Sequence, residues 1–108
     1  QGKSLREILC ELMKQYGAFY FDRLDLHVSD AQKRAAVRRL TRQPPHKISN
    51  YPVERRENLD GHKLLFNENE WVLIRPSGTE PMLRLYCEAN SPQKVKRILG
   101  AAKNLVCA

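Results

Sequence analysis

The sequence predicts an α+β fold, with helices on one face of a mostly antiparallel sheet. Two patterns indicate it: apolar stripes at helical spacing near both ends of the chain, and short apolar runs between polar turns in the middle. The chain has 108 residues, of which 42% are apolar, so it is long enough for one modest core. After an opening helix, the predicted order is strand, helix, four strands and helix.

The opening helix is predicted from Ser4 to about Tyr16, because apolar residues recur there at helical spacing and Gly17 follows. A strand is predicted next, from Ala18 to Val28, where apolar and polar residues nearly alternate. The apolar stripe of the opening helix comprises Leu5, Ile8, Leu9, Leu12, Met13 and Tyr16.

A second helix is predicted to begin at Ser29 to Gln32, which has the pattern of a capping box. It is expected to run to about Arg42, because Pro44-Pro45 disfavours continuation. Its buried residues are predicted as Ala31, Ala35 and Leu40, with Val37 as a further candidate.

Four strands are predicted in the second half of the chain. The first, Ile48 to Leu59, is the weakest and is expected at or near an edge, because Pro52 interrupts it. The Asp60-Gly61 pair predicts a turn after it. The other strands are Lys63 to Phe66, Trp71 to Arg75 and Met82 to Glu88, with a turn at Asn67 to Glu70.

A last helix is predicted with Ser91 as N-cap and Pro92 as its first residue. Pro suits that position because its missing N–H would have no partner in the first turn of a helix. The buried stripe of this helix is predicted as Val95, Ile98, Leu99, Ala102 and either Leu105 or Val106.

The loop from Arg75 to Pro81 is the strongest candidate for function, and its composition predicts phosphate binding. Arg75 offers a planar, charged fork of donors, while Ser77 and Thr79 offer hydroxyls beside a glycine that can adopt φ > 0. A chain bent in that way can point several backbone N–H groups at one anion. The same composition also fits an ordinary polar hairpin connection. The spacing is not that of a Walker P-loop, so nucleotide chemistry is not implied.

The net charge of +7 predicts an anionic partner, which could be nucleic acid, an acidic membrane surface, an acidic protein face or a phosphorylated metabolite. A basic run in the second helix and just after it contributes much of this charge. It fits a solvated helix face, a contact with an acidic neighbouring domain or a nucleic-acid surface, but it has no interleaved aromatics and no RNA-binding motif. Its members are Lys33, Arg34, Arg38, Arg39, Arg42 and Lys47.

The cysteines and histidines do not predict a disulfide framework or a metal site. The three cysteines are far apart and form no C-x-x-C pair, which favours reduced thiols in a cytoplasmic protein. His27, His46 and His62 lack the spacing of metal ligands. No apolar run approaches the length of a membrane span, so no membrane association is expected.

The segment Trp71 to Glu88, reading WVLIRPSGTEPMLRLYCE, resembles the phosphosugar-binding loop in the last domain of the α-D-phosphohexomutases, the phosphoglucomutase and phosphomannomutase group. The resemblance runs nearly from end to end of the chain. Other segments that carry it are Gly2-Lys3-Ser4-Leu5, Tyr16-Gly17, Arg23-Leu24-Asp25-Leu26 and Leu59-Asp60-Gly61-His62-Lys63.

The resemblance implies a TATA-binding-protein-like α+β fold and a division of the chain. Residues 1–20 would form a linker helix from a preceding domain, and residues 21–108 would form the C-terminal phosphosugar-binding domain. The first residue is Gln rather than Met, which also suggests part of a longer protein. The phosphate-contacting residues implied are Arg75, Ser77, Gly78, Thr79 and Arg84. Arg84 could equally pair with Glu80 or Glu88.

The enzymes of this family are isomerases that move a phosphoryl group between C1 and C6 of a hexose phosphate through a phosphoserine. The loop would clamp the phosphate that is not reacting. The resemblance places the serine and the Mg²⁺-binding loop in earlier domains, so no catalytic or metal-binding residue is expected here and the chain alone should be inactive. The implied partners are a hexose phosphate and the preceding domains, and nucleic acid is not expected.

Which hexose phosphate is the substrate stays open, because the loop would hold phosphate rather than the sugar hydroxyls. A phosphoglucosamine mutase domain is one alternative within the family. A non-catalytic basic module that binds nucleic acid is the alternative from another class.

Overall fold

The computed structural model describes residues 14–59 and 61–107 of the chain. These residues form eight strands and two helices, which follow the predicted order in outline. The strands are β1 (Lys14–Tyr16), β2 (Phe19–His27), β3 (Lys47–Ile48), β4 (Tyr51–Pro52), β5 (Arg55–Glu57), β6 (His62–Leu65), β7 (Trp71–Pro76) and β8 (Met82–Ala89), and the helices are α1 (Asp30–Arg42) and α2 (Pro92–Cys107).

Six of the strands form one sheet in the order β1-β2-β8-β7-β6-β5, and every neighbouring pair in it is antiparallel. The predicted α+β class is therefore confirmed. Strand β8 lies between β2 and β7. Tyr20 pairs with Ala89 and His27 with Met82 along the β2 side of β8. This order places residues from distant parts of the sequence side by side on one sheet face.

The two helices cover one face of the sheet and close the core. Every second residue of β8, from Leu83 to Ala89, is fully buried against them. Burial of one such Leu or Ile side chain contributes about 1.5–3 kcal/mol. The predicted stripe of α2 is confirmed, and Val106 rather than Leu105 is its last buried member. The buried residues of α2 are Val95, Ile98, Leu99, Ala102 and Val106.

The opposite face of the sheet carries aromatic and charged residues. The ring of Phe21 lies 6.2 Å from those of both Trp71 and Tyr86, measured between centroids. The ammonium of Lys63 lies 4.6 Å from the centre of the Trp71 ring, within the range of a cation–π interaction. These side chains half-bury one another. Because side chains alternate between faces along β8, Arg84 lies on the same face as Tyr86.

Helix α1 begins with the capping box that the sequence predicts. The hydroxyl of Ser29 accepts a hydrogen bond from the Gln32 N–H at 3.1 Å, and the Gln32 side chain accepts one from the Ser29 N–H at 2.9 Å. Two of the N–H groups at the helix start are thereby satisfied. The helix ends at Arg42, as predicted.

The buried face of α1 differs from the predicted one. Ala31 and Ala35 are exposed, whereas Ala36 and Leu40 are 2% and 3% exposed. Val37 is half-buried. The buried face is therefore shifted from Ala35 to Ala36, and Lys33, one turn earlier, lies on the same side of the helix with its side chain only 17% exposed.

The predicted opening helix, from Ser4 to about Tyr16, lies mostly outside the described residues. Its last three residues are described and form β1, with Lys14 opposite Phe21, so the prediction that the helix extends to Tyr16 is wrong. Gly17 adopts φ +62°, which lets the chain reverse so that these residues pair with β2. The division into a linker (1–20) and a domain (21–108) stays a prediction.

The weak strand predicted from Ile48 to Leu59 is divided into three short strands. Ser49 adopts φ +56°, and the chain reverses there so that Ile48 pairs with Tyr51 in a separate two-stranded sheet. Pro52 has no N–H to extend this pairing. Strand β5 then forms the edge of the main sheet, where Glu57 pairs with Lys63. The chain therefore reverses near the predicted Asp60-Gly61 turn, although Asp60 lies outside the described residues.

The predicted turn from Asn67 to Glu70 contains a buried ion pair that the sequence pattern did not indicate. The Glu70 side chain is 4% exposed, and its carboxylate accepts hydrogen bonds from the Lys94 ammonium, from Asn67 at 2.7 Å and from the Asn90 N–H at 2.8 Å. Burial raises the pKa of Glu70, but these hydrogen bonds outweigh it and hold the pKa below its ordinary value. The pair joins the β6–β7 turn to the start of α2.

Candidate functional site

The five predicted site residues lie in one hairpin, formed by β7, β8 and the connection 77–81. Arg75 and Arg84 pair directly across the two strands, so their side chains leave the same face of the sheet. Arg75 is exposed and Arg84 is half-buried. Ser77, Gly78 and Thr79 follow in the connection. The hairpin therefore brings together all the residues that the sequence singled out.

Arg84 has a buried donor without an acceptor. Its Nε atom is buried and makes no hydrogen bond to the part of the chain that the structure describes. Neither Glu80 nor Glu88, the two partners considered from the sequence, forms an ion pair with it. Asp25 is its neighbour on β2. The carboxylate of Asp25 instead lies 3.7 Å from Nε of Arg23.

Two guanidinium groups that leave the same face of adjacent strands form a local concentration of positive charge. Each guanidinium is a planar cation with several N–H donors. Each fork matches the geometry of a carboxylate or phosphate. The Arg75 and Arg84 pair is thus the part of the hairpin best suited to an anion.

The connection 77–81 is stabilised by its own hydrogen bonds. The Ser77 N–H donates to the Met82 carbonyl at 3.0 Å, and the Met82 N–H donates to the Glu80 carbonyl at 2.8 Å. The Ser77 hydroxyl accepts from the N–H groups of Thr79 at 3.4 Å and Glu80 at 3.2 Å. The expectation that several backbone N–H groups face an anion therefore needs correction, because most of them are used within the turn.

The donors that remain for a ligand in this turn are the hydroxyl protons of Ser77 and Thr79 and the N–H of Gly78. Gly78 does not adopt the positive φ expected from the sequence, since among the described glycines only Gly17 and Gly61 do. A Cβ atom built on Gly78 would meet no atom within 4 Å. Neither the backbone conformation nor the packing of the described residues therefore requires glycine at position 78. Close approach of a ligand to the backbone would require it, because a side chain would stand in the way.

Lys33 of α1 contacts this turn, which the sequence did not indicate. Its ammonium donates to the Ser77 carbonyl at 2.9 Å and to the Glu80 carbonyl at 3.1 Å. The Lys33 side chain is only 17% exposed. The sequence pattern places Lys33 in the basic run, for which a solvated helix face is one interpretation. The signal that could have found it is its position one turn before Ala36 and Val37 on the buried face.

Gly61 holds the loop before β6 against Arg75. Its φ is +131°, and a Cβ atom there would lie 2.8 Å from the Ile74 carbonyl oxygen and 3.2 Å from Cα and Cβ of Arg75. Only a residue without a side chain permits this approach. The Asp60-Gly61 pair was predicted as a turn, and the contact with β7 adds a second reason for the glycine.

Among the residues that the structure describes, the other charged groups do not form a second cluster comparable to the Arg75 and Arg84 pair. Within the basic run, Arg39 donates to the Leu105 carbonyl at 2.6 Å, so it serves packing between the helices. Arg34, Arg38, Arg42 and Lys47 are exposed. Burial lowers the pKa of His62. In residues 14–59 and 61–107, no group of three or more His, Cys, Asp or Glu could hold a metal ion, and neither helix could span a membrane.

Known proteins resemble the chain over most of its length. The family described as phosphoglucomutase/phosphomannomutase, C-terminal domain, matches residues 25–104, well over half of the chain. The chain belongs to this family. The resemblance predicted from the segment Trp71 to Glu88 is thereby confirmed, and all five predicted site residues of this mutase-family domain lie within the matched range.

Three relatives illustrate the range of the family. A phosphoglucomutase/phosphomannomutase of Thermococcus kodakarensis is 34% identical over 100 residues, covering 91% of this chain and 19% of that protein. A phosphopentomutase of the same organism is 30% identical over 98 residues, covering 91% and 22%. A phosphoglucosamine mutase of Methanocaldococcus jannaschii is 42% identical over 69 residues, covering 56% and 15%. The matched regions thus span only 15–22% of the length of these relatives.

Proposed function

We propose that Arg75, Arg84 and the turn from Ser77 to Thr79 bind the phosphate group of a sugar phosphate. The observation that carries the proposal is the pairing of Arg75 with Arg84, in which a buried donor of Arg84 has no acceptor among the described residues. Like charges directly opposite each other in a sheet are destabilising. A phosphate between the two forks would remove that repulsion and supply acceptor oxygens to both.

The turn adds neutral donors beside these two charges. The Ser77 hydroxyl can donate its proton outward while its oxygen accepts from the turn, because a hydroxyl has one donor and two acceptor lone pairs. The Thr79 hydroxyl and the Gly78 N–H complete the set. The site therefore combines charge with directional hydrogen bonds, which distinguishes it from a basic surface that attracts any anion.

In a mutase, we expect this domain to be the C-terminal one and to clamp the phosphate that is not reacting during intramolecular phosphoryl transfer. Binding energy from a remote phosphate can hold the reacting end in line, which assists the chemical step as well as affinity. We propose a hexose phosphate as substrate. The names of the relatives also include pentose and glucosamine mutases, and phosphate is the group that these sugars share. A phosphoglucosamine mutase domain is the alternative within the family.

The family implies Mg²⁺, but the described residues of this chain do not fit it, since they offer no cluster of carboxylates or other ligands. We therefore assign no step through a metal ion to this domain. The chain alone is predicted to lack mutase activity, which a coupled assay with glucose 1-phosphate would check. Its cytoplasmic location stays a prediction.

The proposal can be tested by NMR titration of the ¹⁵N-labelled chain with inorganic phosphate and with glucose 1-phosphate. We expect the amide signals of Gly78 and Thr79 to shift in both titrations. Arg75→Gln removes charge-assisted hydrogen bonds worth about 1.5–3 kcal/mol each, so it should weaken binding at least about tenfold. The exposed Arg38 provides the control, because Arg38→Gln makes the same change in charge on α1. Equal affinity in the two variants would contradict the proposal.

The nucleic-acid alternative is tested by adding a single-stranded RNA oligonucleotide to the same sample. Two of the six cations in the basic run already make intramolecular hydrogen bonds: Lys33 donates to the turn and Arg39 donates to the Leu105 carbonyl. We therefore expect no saturable shifts in α1 at about 150 mM salt. Salt-sensitive binding centred on Arg34, Arg38 and Arg42 would favour the alternative instead.

A further inference from the structure

The turn from Ser77 to Glu80 is attached to α1 by a single side chain. Lys33 lies far away in the sequence, yet its ammonium donates to the carbonyl oxygens at both ends of this turn, at 2.9 Å to Ser77 and 3.1 Å to Glu80. The Asp30 carboxylate lies 3.7 Å from the same ammonium, but its side chain is 68% exposed. The two carbonyls are thus the principal contacts of a side chain that is itself only 17% exposed.

A backbone hydrogen bond from the segment between β2 and α1 also holds the end of this connection. The Val28 N–H, between β2 and α1, donates to the Pro81 carbonyl at 3.0 Å. Three carbonyl oxygens at the ends of the connection therefore accept hydrogen bonds from this side of the sheet: those of Ser77 and Glu80 from Lys33 of α1, and that of Pro81 from the Val28 N–H just before α1. A carbonyl oxygen is the negative end of its peptide dipole, so engaging these oxygens in hydrogen bonds keeps them from facing a bound anion.

We propose that Lys33 is a positioning residue for the phosphate site, fixing the turn so that Ser77, Gly78 and Thr79 present their donors to one ligand. This inference rests on the proposed function and extends it to a residue outside the hairpin. The turn has few other tertiary contacts, because residues 78–81 are exposed and no atom lies within 4 Å of a Cβ built on Gly78. Without the ammonium, the turn would sample other conformations in which the donors diverge.

The charge of Lys33 also lies near the site, so its electrostatic effect must be separated from its positioning effect. Lys103 provides a matched control, because it is an exposed lysine on α2. Lys33→Gln and Lys103→Gln remove the same charge, but only the first removes the contacts with the turn. Loss of ordering should raise the dissociation constant in proportion to the loss of the competent conformation, about tenfold if that conformation falls to about a tenth of the population.

The experiment uses the 108-residue chain and inorganic phosphate as the probe. Heteronuclear NOE values of Gly78 and Thr79 report the order of the unliganded turn, and the titration gives the dissociation constant. We expect Lys33→Gln to lower these NOE values and weaken phosphate binding about tenfold, while Lys103→Gln changes neither by more than about twofold. Thermal unfolding of both variants ensures that each is folded at the temperature used. If Lys33→Gln is not folded, the same measurements on Lys33→Arg replace it, and a shifted turn with weaker binding is again expected because the guanidinium is larger and planar.

The outcomes separate this inference from the function on which it rests. If the unmodified chain binds no phosphate, the proposed function fails and the role of Lys33 fails with it. If the chain binds phosphate but the Lys33 variant has unchanged NOE values and affinity, the phosphate site stands and Lys33 is not its positioning residue. If both lysine variants weaken binding equally, with an ordered turn, the effect is one of net charge and the positioning role is again overturned.

Discussion

Replacing Arg84 with Met should increase the stability of the free chain while abolishing most of its response to phosphate. Met retains an unbranched stem of similar length but has neither the charge nor the buried Nε donor. A buried donor without a partner costs about 1–3 kcal/mol. Repulsion between Arg84 and the exposed Arg75 adds a smaller cost, below about 1 kcal/mol in water-like surroundings. We therefore expect Arg84→Met to raise the free energy of unfolding by about 1–3 kcal/mol.

Phosphate should narrow this difference in stability. A ligand at about ten times its dissociation constant stabilises the state that binds it by about 1.4 kcal/mol, and only the unmodified chain should receive that amount. Urea unfolding in chloride buffer with and without phosphate measures both effects, and the single tryptophan, Trp71, lies on the same sheet face and reports the transition. Arg38→Met is the control for loss of an exposed arginine. Destabilisation of the phosphate-free chain by Arg84→Met would contradict this prediction, as would equal stabilisation of the variant and the original chain by phosphate.

Three further predictions concern the turns before and after strands β6 and β7. Glu70→Gln should lower the free energy of unfolding at pH 7 by about 1.5–3 kcal/mol relative to Glu68→Gln, an exposed residue of the same turn. Because the folded pKa of Glu70 is depressed, its contribution is present above the unfolded pKa and lost as the pH falls through the folded pKa, so the difference in urea midpoint should shrink below about pH 4. Gly61→Ala should destabilise by at least about 1–3 kcal/mol through its backbone conformation and contact with β7. A stable Gly61→Ala variant with normal phosphate affinity would contradict the close packing of Gly61 against β7. Gly78→Ala, in contrast, should leave the thermal unfolding temperature unchanged but weaken phosphate binding in calorimetric titration.

Much of the hairpin and of α2 could be predicted from the sequence because their determinants are local. The apolar runs that flank the connection 77–81 fix β7 and β8, and Ser91-Pro92 fixes the start of α2. The Ser91 hydroxyl indeed accepts from the Lys94 N–H at 3.1 Å. In each case, residues within a few positions of one another supply both the pattern and the hydrogen bonds.

The remaining features depend on partners that are distant in the sequence. Helical periodicity can place Lys33 near the buried face, but it cannot indicate the hydrogen bonds of its ammonium, because the carbonyls that accept them belong to a distant hairpin. The unpartnered Nε of Arg84 also depends on the order of the strands. Strand β2 places Asp25 directly opposite Arg84, but the Asp25 carboxylate contacts Arg23 instead. The strand predicted from Ile48 to Leu59 is divided by the left-handed conformation of Ser49, whereas the sequence indicated only an interruption at Pro52. A non-glycine residue in that conformation has no dependable local signal.

The central position of β8 has a consequence for the order in which the site assembles during folding. Arg75 and Arg84 meet within one hairpin, a contact of short sequence separation that closes a small loop at low entropic cost. Lys33 reaches the Ser77 carbonyl across 44 residues, and β2 joins β8 across a longer interval. The charged pair should therefore form early and the anchored turn late. A nascent or partially unfolded chain would expose two arginines in register before Lys33 holds the turn beside them.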